Sequence, residues 1–153
     1  MENKYDSTGD TLRHVRRVAA LINDVIAHLL KRIEKHDDSK VDDPSEKELF
    51  DKYTPKLKNV TYGSEEYQTF LDALKPALEH HYSNHRHHPE HFENGIDDMN
   101  LIDLIEMLMD WKAASERHND GNIRKSLEIN VKRFKMHPKL TKILENTVNY
   151  LGW

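Results

Sequence analysis

The sequence contains no cysteine, which excludes a disulfide framework and thiolate ligation of zinc, so any metal must be held by histidine and carboxylate. The same lack favours a cytoplasmic protein. Glycine and proline are scarce, five of each in 153 residues, and no stretch shows the alternation of a strand, which leaves helices throughout. No apolar run approaches the roughly 20 residues that a membrane span needs. The opening Met-Glu-Asn-Lys-Tyr-Asp also lacks the basic-then-apolar order of a signal peptide, so a soluble protein is expected. Charge of one sign is missing too. Charged residues make up 33% of the chain, yet the net charge is -4 with both signs interspersed. Without a broad basic face, a nucleic-acid polymer is disfavoured as partner.

What the sequence does hold is histidine. Eleven are present, and His80, His81, His85, His87, His88 and His91 fall within twelve residues. Sequence of folded character continues beyond this cluster, so it is not an expression tag.

The length fits one domain, residues 1–153. Apolar spacing predicts a first helix from about Asp10 to Lys35, a long core helix with Leu12, Val15, Val18, Ile22, Val25, Ile26, Leu29 and Ile33 on one face. His36-Asp37-Asp38-Ser39-Lys40 interrupts it. Ser45 and Glu48 then read as a capping box opening a helix whose alternating charges, Glu46 to Lys58, form a wet face. A loop is expected at Asn59 to Ser64, then a helix from Glu65 to about His88, with Pro76 kinking it or opening a second segment. Pro89 ends that stretch or starts another. After a turn at Asn94 to Asp98, a helix from about Asn100 to His118 turns Leu101, Leu104, Ile105, Leu108 and Trp111 inward. Asp103, Glu106 and Asp110 share its other side. Asp120-Gly121 closes this helix, Asn122 caps the next and Pro138 opens the last. Trp111, Phe134, Tyr150 and Trp153 are assigned to packing. The fold class is all-α, a bundle of about six helices.

Four positions suit a metal: His14, the adjacent His36-Asp37, and Asp110. Neutral imidazole and ionised carboxylate are the donors that Mn, Fe, Co, Ni or Zn accept when thiolates are absent. Each also has a plainer use, His14 on a helix flank, Asp37 or Ser39 as a cap, Asp110 as a solvated carboxylate, and only their combination favours ligation. Residues of a helix point 100° apart, so not all clustered histidines can join. His80, Asn84, His87 and His88 share one face, while His81, His85 and His88 share another, which leaves the choice between His80 and His81 open. His85 and His91 fall outside the ligand set, and His28, His118 and His137 take no role. Asp103 and Glu106 are expected at the surface or behind the ligands.

The order His14, His36-Asp37, then Asp110 resembles the HD superfamily of metal-dependent phosphohydrolases. Lys40, three residues after Asp37, and the run His87-His88-Pro89-Glu90, similar to the paired histidines of binuclear members, extend the likeness. More closely, His36 to Lys40, His87 to Phe92 and Glu106 to Trp111 look like the corresponding strings of a family of small, often phage-borne proteins of unassigned function, so that the expected cytoplasm is that of a bacterial host if the protein is phage-encoded. No Gly-Tyr-Pro follows the histidine pair, so cyclic-dinucleotide specificity is not carried over.

The resemblance implies one or two divalent ions, held by His14, His36, Asp37 and Asp110, with Asp37 bridging and His80 or His81 joining His87 and His88 at a second ion. It implies hydrolysis of a small phosphate ester, a nucleotide or a related molecule, by a metal-activated water. Lys40, Arg86 and Arg117 are then phosphate contacts, Asn84 a substrate contact and Glu90 a proton donor. Two rivals are a di-iron oxygenase using nearly the same ligands and a non-catalytic phage accessory protein that binds a host factor or sequesters a ligand.

Overall fold

The computed structural model describes residues 5–60, 64–117 and 121–153. Among them every regular element is helical, as the sequence predicts. In chain order these are α1 (Thr8–Lys35), the four-residue α2 (Ser39–Asp42), α3 (Pro44–Lys58), α4 (Glu65–Asn84), α5 (Leu101–Ser115), α6 (Ile123–Arg133) and α7 (Pro138–Tyr150). Short 3-10 turns cover Pro89–His91 and Gly95–Asp98. No helix among the described residues is long and apolar enough to cross a membrane. The expected helix end at His118, the centre of the loop before Ser64 and the stop at Asp120 lie outside the described residues.

The chain divides into two compact units, Met1–Lys35 and His36–Trp153. Among its described residues, α1 is the single regular element of the first. Its apolar stripe forms as predicted, but the expected core helix is not found. No described residue of α1 is buried, and Leu12 and Ile33 are 50% and 71% exposed. A single helix has no second layer within its own unit against which to bury that face.

The second unit carries the core. Met107, Leu108 and Trp111 of α5 pack with Ile123 and Leu127 of α6, Leu144 and Val148 of α7, and Ile96 and Met136 from the connections. Trp111 and Phe134 stack nearly parallel with centroids 6.1 Å apart, so the predicted inward aromatics do meet. Tyr150, assigned to packing, is instead 90% exposed.

Helix starts explain much of the local order. Asn100 caps α5 in a reciprocal box with Asp103, and Asn122 caps α6 by accepting from the Arg124 N–H. Asn122→Ala should therefore cost about 1 kcal/mol, read as a lower urea midpoint with unchanged slope. At α3 the expected box of Ser45 and Glu48 is not the cap. Asp43 accepts from the N–H groups of Ser45 and Glu46, because Pro44 occupies the first helical position and puts the cap two residues earlier than expected. Helix α4 passes through Pro76 without opening a second segment, and it stops at Asn84, before the position expected. That early stop sets up the site: His85, His87 and His88 leave the helix on a turn and are freed from its 100° spacing.

Candidate metal centre

At the start of the second unit the chain turns sharply through Asp37, which has φ +57°. This left-handed conformation is uncommon outside glycine but is tolerated by aspartate. The turn brings the Asp37 carboxylate to the end of α4. There Asp37 Oδ1 lies 3.0 Å from Nε2 of His81 and 3.4 Å from Nε2 of His87. Nε2 of His88 is 3.0 Å from Nε2 of His81. One ligand atom from each of Asp37, His81, His87 and His88 fits within 4.8 Å of the others. A second such group, sharing His87, is formed with His36 and Asp110, whose Nε2 and Oδ1 are 3.7 Å apart.

Burial gives this convergence its meaning. His81 and His87 are almost wholly buried, yet Asp37 Oδ1 and both ring nitrogens of His87 lack a hydrogen-bond partner. Buried polar atoms are normally satisfied, and leaving one bare costs about 1–3 kcal/mol. Two of the three bare atoms, Asp37 Oδ1 and His87 Nε2, face each other and the ring of His81, an arrangement that a cation satisfies, while His87 Nδ1 turns to Glu106. The donor set is nitrogen and oxygen only, which fits Mn, Fe, Co, Ni or Zn and not a thiolate-selective metal.

The electrostatics follow from the same contacts. Burial alone would raise the Asp37 carboxyl, but His81, His87 and Lys40 beside it hold it far below the usual carboxylate range. The carboxylate of Asp110, and Glu106 after it, push His36 up to about 10. Burial and the neighbouring His87 and His81 pull His88 down to about 3, and burial and His81 pull His85 down to about 4. His88 is thus a neutral imidazole at physiological pH, the form that ligates.

Other predicted residues take varied places. His14 is exposed on α1, in the first unit, and both donor groups are built within the second. Between His80 and His81 the structure brings His81 into the group, whereas the side chain of His80 is 46% exposed and holds Glu46 through Nδ1 at 2.7 Å. Asn84 is exposed and bonds back to the carbonyl of His80. The shared face expected for His80, Asn84, His87 and His88 does not form, since α4 ends at Asn84. Lys40 pairs with Asp37 Oδ2 at 2.6 Å and lies over Phe50. Arg86 is turned to Asp103, with two contacts of 3.0 and 3.2 Å, and stacks on Phe92, so it braces the turn after α4. Arg117 is exposed just past α5. Glu90 pairs with Arg133 at 2.6 Å.

Glu90 and Arg133 line a cleft of about 230 Å³ that also takes in His88, Asp110, Tyr82 and the Trp111 wall. The cleft therefore opens on a residue from each donor group. A larger cleft of about 460 Å³ runs along α6 and α7, but none of the converging donors lines it.

Sequence reasoning passed over Glu46, which looks like one charge of a wet face and is in fact fully buried. No pattern in α3 singles it out. Ser39 was weighed only as a cap, yet its hydroxyl lies between Glu46, His81 and His85. Glu106, expected at the surface or behind the donors, lies behind them, one helical turn before Asp110. Its carboxylate is 3.0 Å from Nδ1 of His36 and 3.2 Å from Nδ1 of His87.

A family model described as "Family of unknown function (DUF5662)" matches residues 3–150. No curated protein and no solved structure matches the chain.

Proposed function

We propose a function for this chain, which belongs to the DUF5662 family of unknown function, from its site: it is a metal-dependent phosphohydrolase of the HD type, acting on a nucleotide or a related small phosphate ester. The observation that carries this is the buried convergence of Asp37, His81, His87 and His88 beside His36 and Asp110, with Asp37 Oδ1 left bare at its centre. When bound, a divalent cation there acidifies water and offsets the charge that develops on a phosphoryl oxygen.

The chain's own residues supply the rest. Asp37 holds the positive side of the site together through His81, His87 and Lys40. Lys40 keeps a cation at the edge of the donor cluster, where it supports a phosphoryl group that approaches Asp37. The cleft beyond Asp110 and His88 receives the organic part of the ester, with Trp111 and Tyr82 as walls and Arg133 at the rim. Glu90 stands in the same cleft and serves as the proton donor to a leaving oxygen, a role for which it must part from Arg133 and take up a proton first. Nucleotides are preferred as substrates by analogy with the superfamily that the motifs resemble.

Stripped protein reloaded separately with Mn, Co, Zn or Fe, and offered nucleoside monophosphates and small phosphate esters, is expected to release phosphate with at least one metal. No release from any ester would overturn the proposal. The two adjoining donor groups also suit a di-iron oxygenase, which the same experiment identifies: protein purified without added metal would then carry iron and consume dioxygen.

A further inference from the structure

The converging rings share a pattern. His36, His81 and His87 each present Nε2 to the centre, toward Asp110 or Asp37, and each turns Nδ1 outward against a glutamate. Glu106 Oε1 takes up His36 at 3.0 Å and approaches His87 at 3.2 Å. Glu46 Oε2 is 3.3 Å from His81 Nδ1, and its Oε1 is 2.7 Å from His80 Nδ1.

Glu46 is the more telling of the two. A carboxylate with no exposure is costly to bury unless it is paired. Its neighbours Ser45 and Lys47 on α3 are exposed, so the helix would be cheaper with an apolar residue turned inward. Ser39 fixes the direction of the protons around it. A hydroxyl has one hydrogen to donate, and that of Ser39 goes to Glu46 Oε2 at 2.7 Å. Ser39 Oγ must then accept from its other two neighbours, His81 Nδ1 at 3.0 Å and His85 Nε2 at 2.7 Å. His81 therefore carries a hydrogen on Nδ1, and its Nε2 is left to face Asp37 Oδ1 at 3.0 Å. His85 spends Nε2 on Ser39 and stands outside the donor group.

We propose that Glu46 and Glu106 are positioning residues: Glu46, with Ser39, holds His81, and Glu106 holds His36 and His87, in the Nδ1–H tautomer that aims Nε2 at a bound cation. This rests on the metal reading above. A partner carboxylate behind a ligating imidazole fixes ring orientation and raises ligand basicity, and its loss weakens metal binding about 10- to 100-fold.

Zinc affinity, measured by chelator competition on the full chain, should fall by about that factor in Glu46→Ala and in Glu106→Ala. Glu46→Gln and Glu106→Gln should fall between these and the parent, because an amide oxygen still accepts from Nδ1–H. Long-range proton–nitrogen NMR of the histidine rings gives the readout that mere loss of stability would not move. In the metal-free parent His81 should carry a hydrogen on Nδ1, and in Glu46→Gln and Glu46→Ala the occupancy of that site should fall. In the zinc-loaded parent His36 and His87 should keep the hydrogen on Nδ1. Should an alanine variant fail to fold, its near-isosteric glutamine counterpart decides. Zinc binding within about twofold of the parent, with His81 unchanged in tautomer, would overturn the proposal. A parent that takes up none of Zn, Mn, Fe, Co and Ni would instead remove the metal reading on which this proposal rests.

Discussion

Asp37→Ala is expected to reduce zinc affinity by at least about 100-fold, because it removes the carboxylate on which His81 and His87 converge. Two effects need separating. Alanine loses the donor, and it also pays about 1 kcal/mol to hold the left-handed backbone that Asp37 adopts. Asp37→Gly relieves the second cost while keeping the first loss. The glycine variant should therefore be folded, by circular dichroism and urea unfolding, and as poor in zinc as the alanine variant. His36→Ala should lose metal as well, since His36 is the imidazole that faces Asp110. Full metal content in Asp37→Gly would sink the site as described.

The second large effect is acid sensitivity of the metal-free protein. His88 and His85 are held to about 3 and about 4 in the fold, against 6.5 when unperturbed. On acidification the unfolded chain takes up these protons first. Their contribution is thus complete above about pH 6.5 and is lost as pH falls toward 3. Asp37, depressed for a different reason, adds to the loss below its ordinary value of 3.8. His36 works in the opposite direction. Raised to about 10, it stabilises fully below 6.5 and its contribution disappears as pH climbs through 10. Stability should accordingly peak near neutrality and drop by a few kcal/mol, on the order of the shifts, by pH 4. Urea midpoints between pH 4 and 10 measure this directly. His88→Gln should flatten the acid limb, and an equally steep limb in that variant would refute the assignment.

The helices were legible because their signals are local. Asn122, Pro138 and the spacing of Leu104, Leu108 and Trp111 act within a turn or two of where they stand, so α5, α6 and α7 begin where the residues say. The donor types were legible for a related reason: a chain without cysteine leaves few ways to hold a cation, and the histidine cluster is dense. The arrangement of those donors was not. Whether His80 or His81 turns inward depends on how α4 lies against α2 and α3, and helical spacing carries no information about that. Periodicity extended α4 to His88, but the histidine run leaves the helix after Asn84, and the faces assigned beyond that point dissolve. Glu46 was hidden more deeply, since its sequence neighbours are charged and its burial is decided by Ser39, on the preceding helix, and by His81, far away in the chain. The apolar stripe of α1 was plain to see, yet nothing in a stripe specifies what covers it.

His87 stands in both groups of donors. With its Nδ1 against Glu106, the ring has a single lone pair left, and one lone pair cannot be given to two ions. Whichever cation claims it leaves the other group a smaller set of donors. A site that took one ion on His87 would therefore offer a second ion fewer donors than the two groups counted separately.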